Sequence, residues 1–75
     1  MRYSVLIEPV EESENLLGFF YAHVPSLGIT THGEGIEGAI AAARDLIQVW
    51  VKEKQASGEI LPNPRESLLA TVEVE

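Results

Sequence analysis

Between Phe19 and Trp50 two extended segments and a long helical pattern follow one another with almost no linker. Phe19-Phe20-Tyr21-Ala22-His23-Val24 alternates as a strand does, so Phe20, Ala22 and Val24 share one side and Phe19, Tyr21 and His23 the other. Pro25-Ser26-Leu27-Gly28 turns the chain, proline presetting its own φ and glycine admitting a positive one. Ile29 to His32 predicts a short returning strand, and Gly33-Glu34-Gly35 punctuates it. From Ile36 to Ala56 the apolar residues Ile36, Ala39, Ile40, Ala43, Leu46, Ile47 and Trp50 recur at helical spacing. Arg44, Asp45, Gln48, Lys52 and Glu53 populate the outer side. A helix with one apolar stripe, joined this closely to a hairpin, buries that stripe on a face of the hairpin's sheet.

The flanking segments extend the pattern. Tyr3 to Glu8 reads as a first strand, stopped by Pro9, with Tyr3, Val5 and Ile7 on one face and Ser4, Leu6 and Glu8 on the other. Val10-Glu11-Glu12-Ser13-Glu14-Asn15 is an acidic hairpin connection. Gly58 is placed to cap the helix C-terminus, and Glu59 to Pro64 should run extended because its prolines forbid a helix. Ser67 to Glu75 alternates strictly, Leu68, Ala70, Val72 and Val74 against Leu69, Thr71, Glu73 and Glu75, and predicts a fourth strand. The expected fold is therefore α+β: β-β-β-α-β in one domain over residues 1–75. A single mixed sheet in order 3-2-1-4 carries one long helix packed on one face. The helix-covered face is assigned to Tyr3, Val5, Ile7, Phe20, Val24, Leu68, Val72 and Val74. The uncovered face takes Ser4, Leu6, Glu8, Phe19, Tyr21, His23, Leu69 and Thr71, a mixed composition that suits an interface better than bare water.

Size and charge narrow the function. A domain near this length buries only about 60% of the surface its unfolded chain exposes. The chain has no cysteine to add a disulfide, so a homo-oligomer, dimer or larger, is expected. The missing cysteines fit a cytoplasmic location, and no apolar run has the length of a signal peptide core or a membrane helix. Five basic against 12 acidic side chains give a net charge of -7. Such a surface repels nucleic acid and favours a basic protein partner.

The candidate chemistry is sparse. His23 and His32 lie on neighbouring strands with Glu8 as the one evident third ligand, short of a four-ligand structural metal site. A two-metal nuclease needs several convergent carboxylates; Glu8, Glu34 and Asp45 are the candidates, and Asp45 points outward on the helix. Ser26 lacks the elbow of a serine nucleophile. Gly33-Glu34-Gly35 lacks the lysine and the further glycines of a phosphate loop. No enzyme activity, cofactor or metal is expected.

Taken in order, several segments resemble the N-terminal domain of the HicB family of bacterial and archaeal antitoxins. They are Ile7-Glu8-Pro9, the aromatic strand ending in Val24-Pro25-Ser26-Leu27-Gly28, Thr31-His32-Gly33-Glu34-Gly35-Ile36-Glu37-Gly38-Ala39, the helix from Ala39 to Trp50, and Gly58-Glu59-Ile60-Leu61-Pro62-Asn63-Pro64. Ser26 stands where that family usually has Asp, and Gly35 and Gly38 replace the Thr and Glu of a capping box. With Gly35 as N-cap, the change Gly35→Thr with Gly38→Glu is expected to restore the box and raise the melting temperature. No helix-turn-helix or ribbon-helix-helix segment follows in this sequence, so operator binding is not expected.

The resemblance implies a degenerate ribonuclease H-like fold without catalysis. Its function would be to bind and occlude a small basic RNA-cleaving toxin of the HicA type. An orphan HicB-like oligomeric interaction or ligand-binding module without a toxin, and more remotely a divergent metal-dependent nuclease, are the alternatives. Strand alternation places the partner-binding residues at Glu8, Glu11, Glu12 and Glu14, with aromatic anchors at Phe19 and Tyr21; the same anchors would equally serve a homo-oligomer.

Overall fold

The computed structural model describes residues 2–11, 18–61 and 64–75. Its elements are β1 (Leu6–Pro9), β2 (Phe19–Val24), β3 (Ile29–Glu34) and α1 (Gly35–Ala56). The strands form an antiparallel sheet in order β1-β2-β3, with Leu6 opposite His23, Glu8 opposite Tyr21, Tyr21 opposite His32 and Phe19 opposite Glu34. The β2–β3 turn closes by hydrogen bonds from the Leu27 and Gly28 amides to the Val24 carbonyl, at 3.1 and 3.0 Å. β1 is shorter at its start than the alternation predicts. Its register sets Leu6 against His23, and β2 turns away at Pro25, so the β1–β2 ladder begins at Leu6.

The helix sits on the face predicted for it. Ala22 and Val24 of β2 meet Ala39 and Ala43 of α1, all four fully buried. Tyr3, Val5, Ile7, Phe20, Leu27, Ile29 and Ile47 pack around them. Alanines at the contact bring the helix close to the sheet, and the closest approach is at Gly33. A Cβ there would stand 2.4 Å from the Gly38 carbonyl carbon and oxygen. Packing therefore demands the glycine at 33, whereas a Cβ on Gly38 would make only ordinary contacts, the nearest with the Gly33 carbonyl carbon at 3.6 Å.

The helix start corrects the capping expectation. The N-cap is Glu34, with no side-chain cap bond, and Gly35 has φ 70°. A threonine at Gly35 would be forced into the left-handed region, which costs a residue with a Cβ about 1–2 kcal/mol. The change that looked like a repaired capping box is thus destabilising at its first position. At the other end Gly58 caps as predicted. Its amide bonds the Gln55 carbonyl at 3.1 Å and the Glu59 amide bonds Lys54 at 3.0 Å, the paired bonds of a Schellman ending.

The C-terminal segment departs most from expectation. Among the described residues there is no fourth strand, and the order 3-2-1-4 is not formed. No backbone hydrogen bond joins residues 64–75 to β1. Leu68, Leu69, Val72 and Val74 are 92, 74, 82 and 87% exposed, so Leu68, Val72 and Val74 do not belong to the helix-covered face. The segment is tethered near its start, where the Ser67 amide donates to Ser4 Oγ at 3.1 Å and the Arg65 backbone meets Ser26 Oγ. Alternation reports that a segment suits a half-buried pleated surface; it does not say that this surface belongs to the same copy of the chain. The Cα radius of gyration is 14.4 Å, against about 11 Å for a compact chain of this length.

Candidate interaction face

The face of the sheet turned away from α1 is built by strand alternation alone. β1 contributes Leu6 and Glu8, β2 contributes Phe19, Tyr21 and His23, and β3 contributes Thr30, His32 and Glu34. Cross-strand neighbours then organise it. His23 Nε2 lies 2.7 Å from Glu8 Oε1, a diagonal contact between β1 and β2, with side chains 30 and 55% exposed. On its other side His23 Nδ1 is 2.9 Å from Thr30 Oγ1. Nε2 is shielded from solvent and, among the described residues, accepts or donates no well-aligned hydrogen bond, so its approach to Glu8 is a charge contact. The Nδ1–Thr30 contact is a hydrogen bond whose donor depends on the ring tautomer.

Two ring pairs extend this line. Tyr21 lies against His23, centroids 5.9 Å apart and planes inclined by 34°. Phe19 lies against His32 at 6.1 Å and 46°. Tilted pairs at such distances are favourable. Phe19, Tyr21 and His23 are half-buried with no element of the described chain across them, whereas Glu34 and His32 are exposed at the β3 side.

Of the residues singled out in the sequence, Glu8, Phe19 and Tyr21 share this face. Glu11 is exposed just beyond β1, following the buried Val10. Glu12 and Glu14 lie outside the described residues. Thr30 and His32 belong to the face and were not named for it; the alternation of Ile29–Glu34 was the signal that carried them.

Among the described residues no three His, Asp or Glu side chains are grouped to hold a metal ion. His23 is committed to Glu8 and Thr30, His32 turns to Phe19, and Glu8, Glu34 and Asp45 do not form a carboxylate cluster. Ser26 Oγ contacts the Arg65 backbone. Among the described residues no helix is long and apolar enough to cross a membrane. Among the described residues the arrangement is that of a surface with paired aromatic rings, a carboxylate–imidazole pair and acidic surroundings. Comparison of this chain with protein-family models, curated proteins and solved structures returned no match, so the likeness to the HicB family rests on the residues quoted for it.

Proposed function

We propose that this chain is a non-catalytic binding module of antitoxin type, which takes a small basic RNA-cleaving protein of the HicA kind on its open sheet face and covers that protein's active site. One observation carries the reading: half-buried aromatic side chains, Phe19 and Tyr21, are held in order beside the Glu8–His23 pair on a face that α1 does not cover. Pre-ordered rings lose little freedom on binding, which is why such residues anchor interfaces. The net charge of -7 supplies the second support. An RNA-cleaving protein must present positive charge to phosphates, and an acidic surface competes for it while speeding encounter.

The same reading makes the protein a homo-oligomer that binds no nucleic acid directly. It is tested by titrating the chain with the HicA-type protein encoded beside its gene. Tyr21→Ala should weaken the complex by roughly tenfold or more. Glu11→Gln should slow association at low salt and leave dissociation nearly unchanged. If no such protein is encoded nearby and none co-purifies, the antitoxin role falls and the oligomeric interaction module remains. RNA cleavage in magnesium or manganese that Glu8→Gln abolishes would replace both with a nuclease.

A further inference from the structure

The outer edge of β1 and the C-terminal segment are complementary, and among the described residues neither is paired in a backbone ladder. β1 is an edge strand. The Val10 amide bonds the Phe19 carbonyl at 2.9 Å, and bonding alternates along an antiparallel pair. Val5 and Ile7 therefore aim their amides and carbonyls away from β2, toward the open edge. Beside that edge α1 overhangs a groove lined by Tyr3, Val5, Ile40, Arg44, Ile47 and Gln48, with Ile40 39% exposed. A strand laid on β1 would push every second side chain into this groove. Residues 67–75 have the required pattern, and their apolar side chains are nearly bare.

The direction of the segment follows from its neighbours. Residues 64–67 run beside Arg2, Tyr3 and Ser4, and Ser67, Leu68 and Leu69 flank a cleft with Ser4, Val5 and Leu6. The segment starts parallel to β1, then stands off from its own edge. Extended, residues 67–75 reach about 30 Å, far enough to cross to another molecule.

We infer that residues 67–75 are an exchanged strand: each copy inserts this segment, parallel, on the β1 edge of a second copy, with Leu68, Ala70, Val72 and Val74 filling the groove under Ile40 and Ile47. The inference rests on the oligomer named in the proposed function and is independent of any toxin. It leaves the Phe19–Tyr21 face open in the dimer.

The chain has no cysteine, which permits a direct test. Leu6→Cys and Leu69→Cys, purified separately and mixed under mild oxidation, should give a disulfide-linked heterodimer in excess of anything either forms alone. Val72→Pro, which removes an amide from an exposed position, should raise the dimer dissociation constant at least tenfold with an unchanged circular dichroism spectrum. A parent dimer that Val72→Pro leaves intact, with no heterodimer from the mixture, overturns the exchanged strand and keeps the oligomer. A disulfide only within single chains of the Leu6→Cys/Leu69→Cys double variant overturns it in favour of closure on the chain's own edge. A parent that sediments as a monomer at micromolar concentration overturns both oligomer and exchange.

Discussion

Adding one carbon at Gly33 probes the tightest surroundings of any described glycine. The atoms it would meet at 2.4–2.6 Å belong to the backbone of Gly38 and Ala39, so no side chain can swing aside. Gly33→Ala should cost about 1–3 kcal/mol or more, by separating helix from sheet. Gly38→Ala should do the opposite. Its Cβ would find Gly33 at 3.6–3.9 Å, an ordinary contact, and alanine gains about 0.8–1.0 kcal/mol of helix propensity over glycine. Thermal denaturation separates the two: a fall of several degrees for Gly33→Ala, a rise of about 4–8 °C for Gly38→Ala. Equal falls would mean that the helix–sheet contact tolerates no added carbon at Gly38 either. These roles were hidden in the sequence. Glycines spaced as Gly33, Gly35 and Gly38 are compatible with a lost cap, a left-handed turn or a backbone contact, and only the crossing of α1 over β3 distinguishes them.

At the scale of elements, α1 ends in a small charged cluster with a defined pH response. Glu59 accepts from Ser57 Oγ at 2.9 Å and pairs with Lys54 at 3.2 Å. The hydroxyl and then the ammonium hold its carboxyl below the usual carboxylate range. A folded-state value lowered in this way stabilises above the unfolded pKa, and that contribution is lost as pH falls through the lowered folded value. Glu59 is exposed, so the effect on global stability should be small. Its carboxyl resonance should nonetheless titrate closer to the ordinary range in Ser57→Ala, and an unmoved titration would refute the contact. The helix and the two paired hairpins were legible because their periods are unmixed: Ile36–Ala56 was expected and Gly35–Ala56 is found. The assignment of Phe20 and Val24 inward, and of Phe19, Tyr21 and His23 outward, followed from the same alternation and is what the structure has. The ends of β1 were not legible, because they depend on where the neighbouring strand turns and not on β1's own residues.

For the whole molecule, charge and the C-terminal segment act together. Two copies at -7 each repel, so self-association should strengthen with added salt, whereas the complex with a basic partner should weaken. Sedimentation and titration across the same salt series should therefore move in opposite directions; parallel trends would show that one surface serves both. Residues 67–75 read as a strand in the sequence because Leu68, Ala70, Val72 and Val74 alternate with polar positions, but the chain as described offers them no paired edge. A one-dimensional pattern specifies a surface without specifying whose. The face that α1 does not cover is the centre of the account, and calorimetric titration of the intact protein with any HicA-type protein encoded beside its gene tests it most directly. The expected result is a saturable complex that Tyr21→Ala weakens roughly tenfold or more while the oligomer persists. No binding by the parent, or equal affinity for parent and Tyr21→Ala, would contradict it.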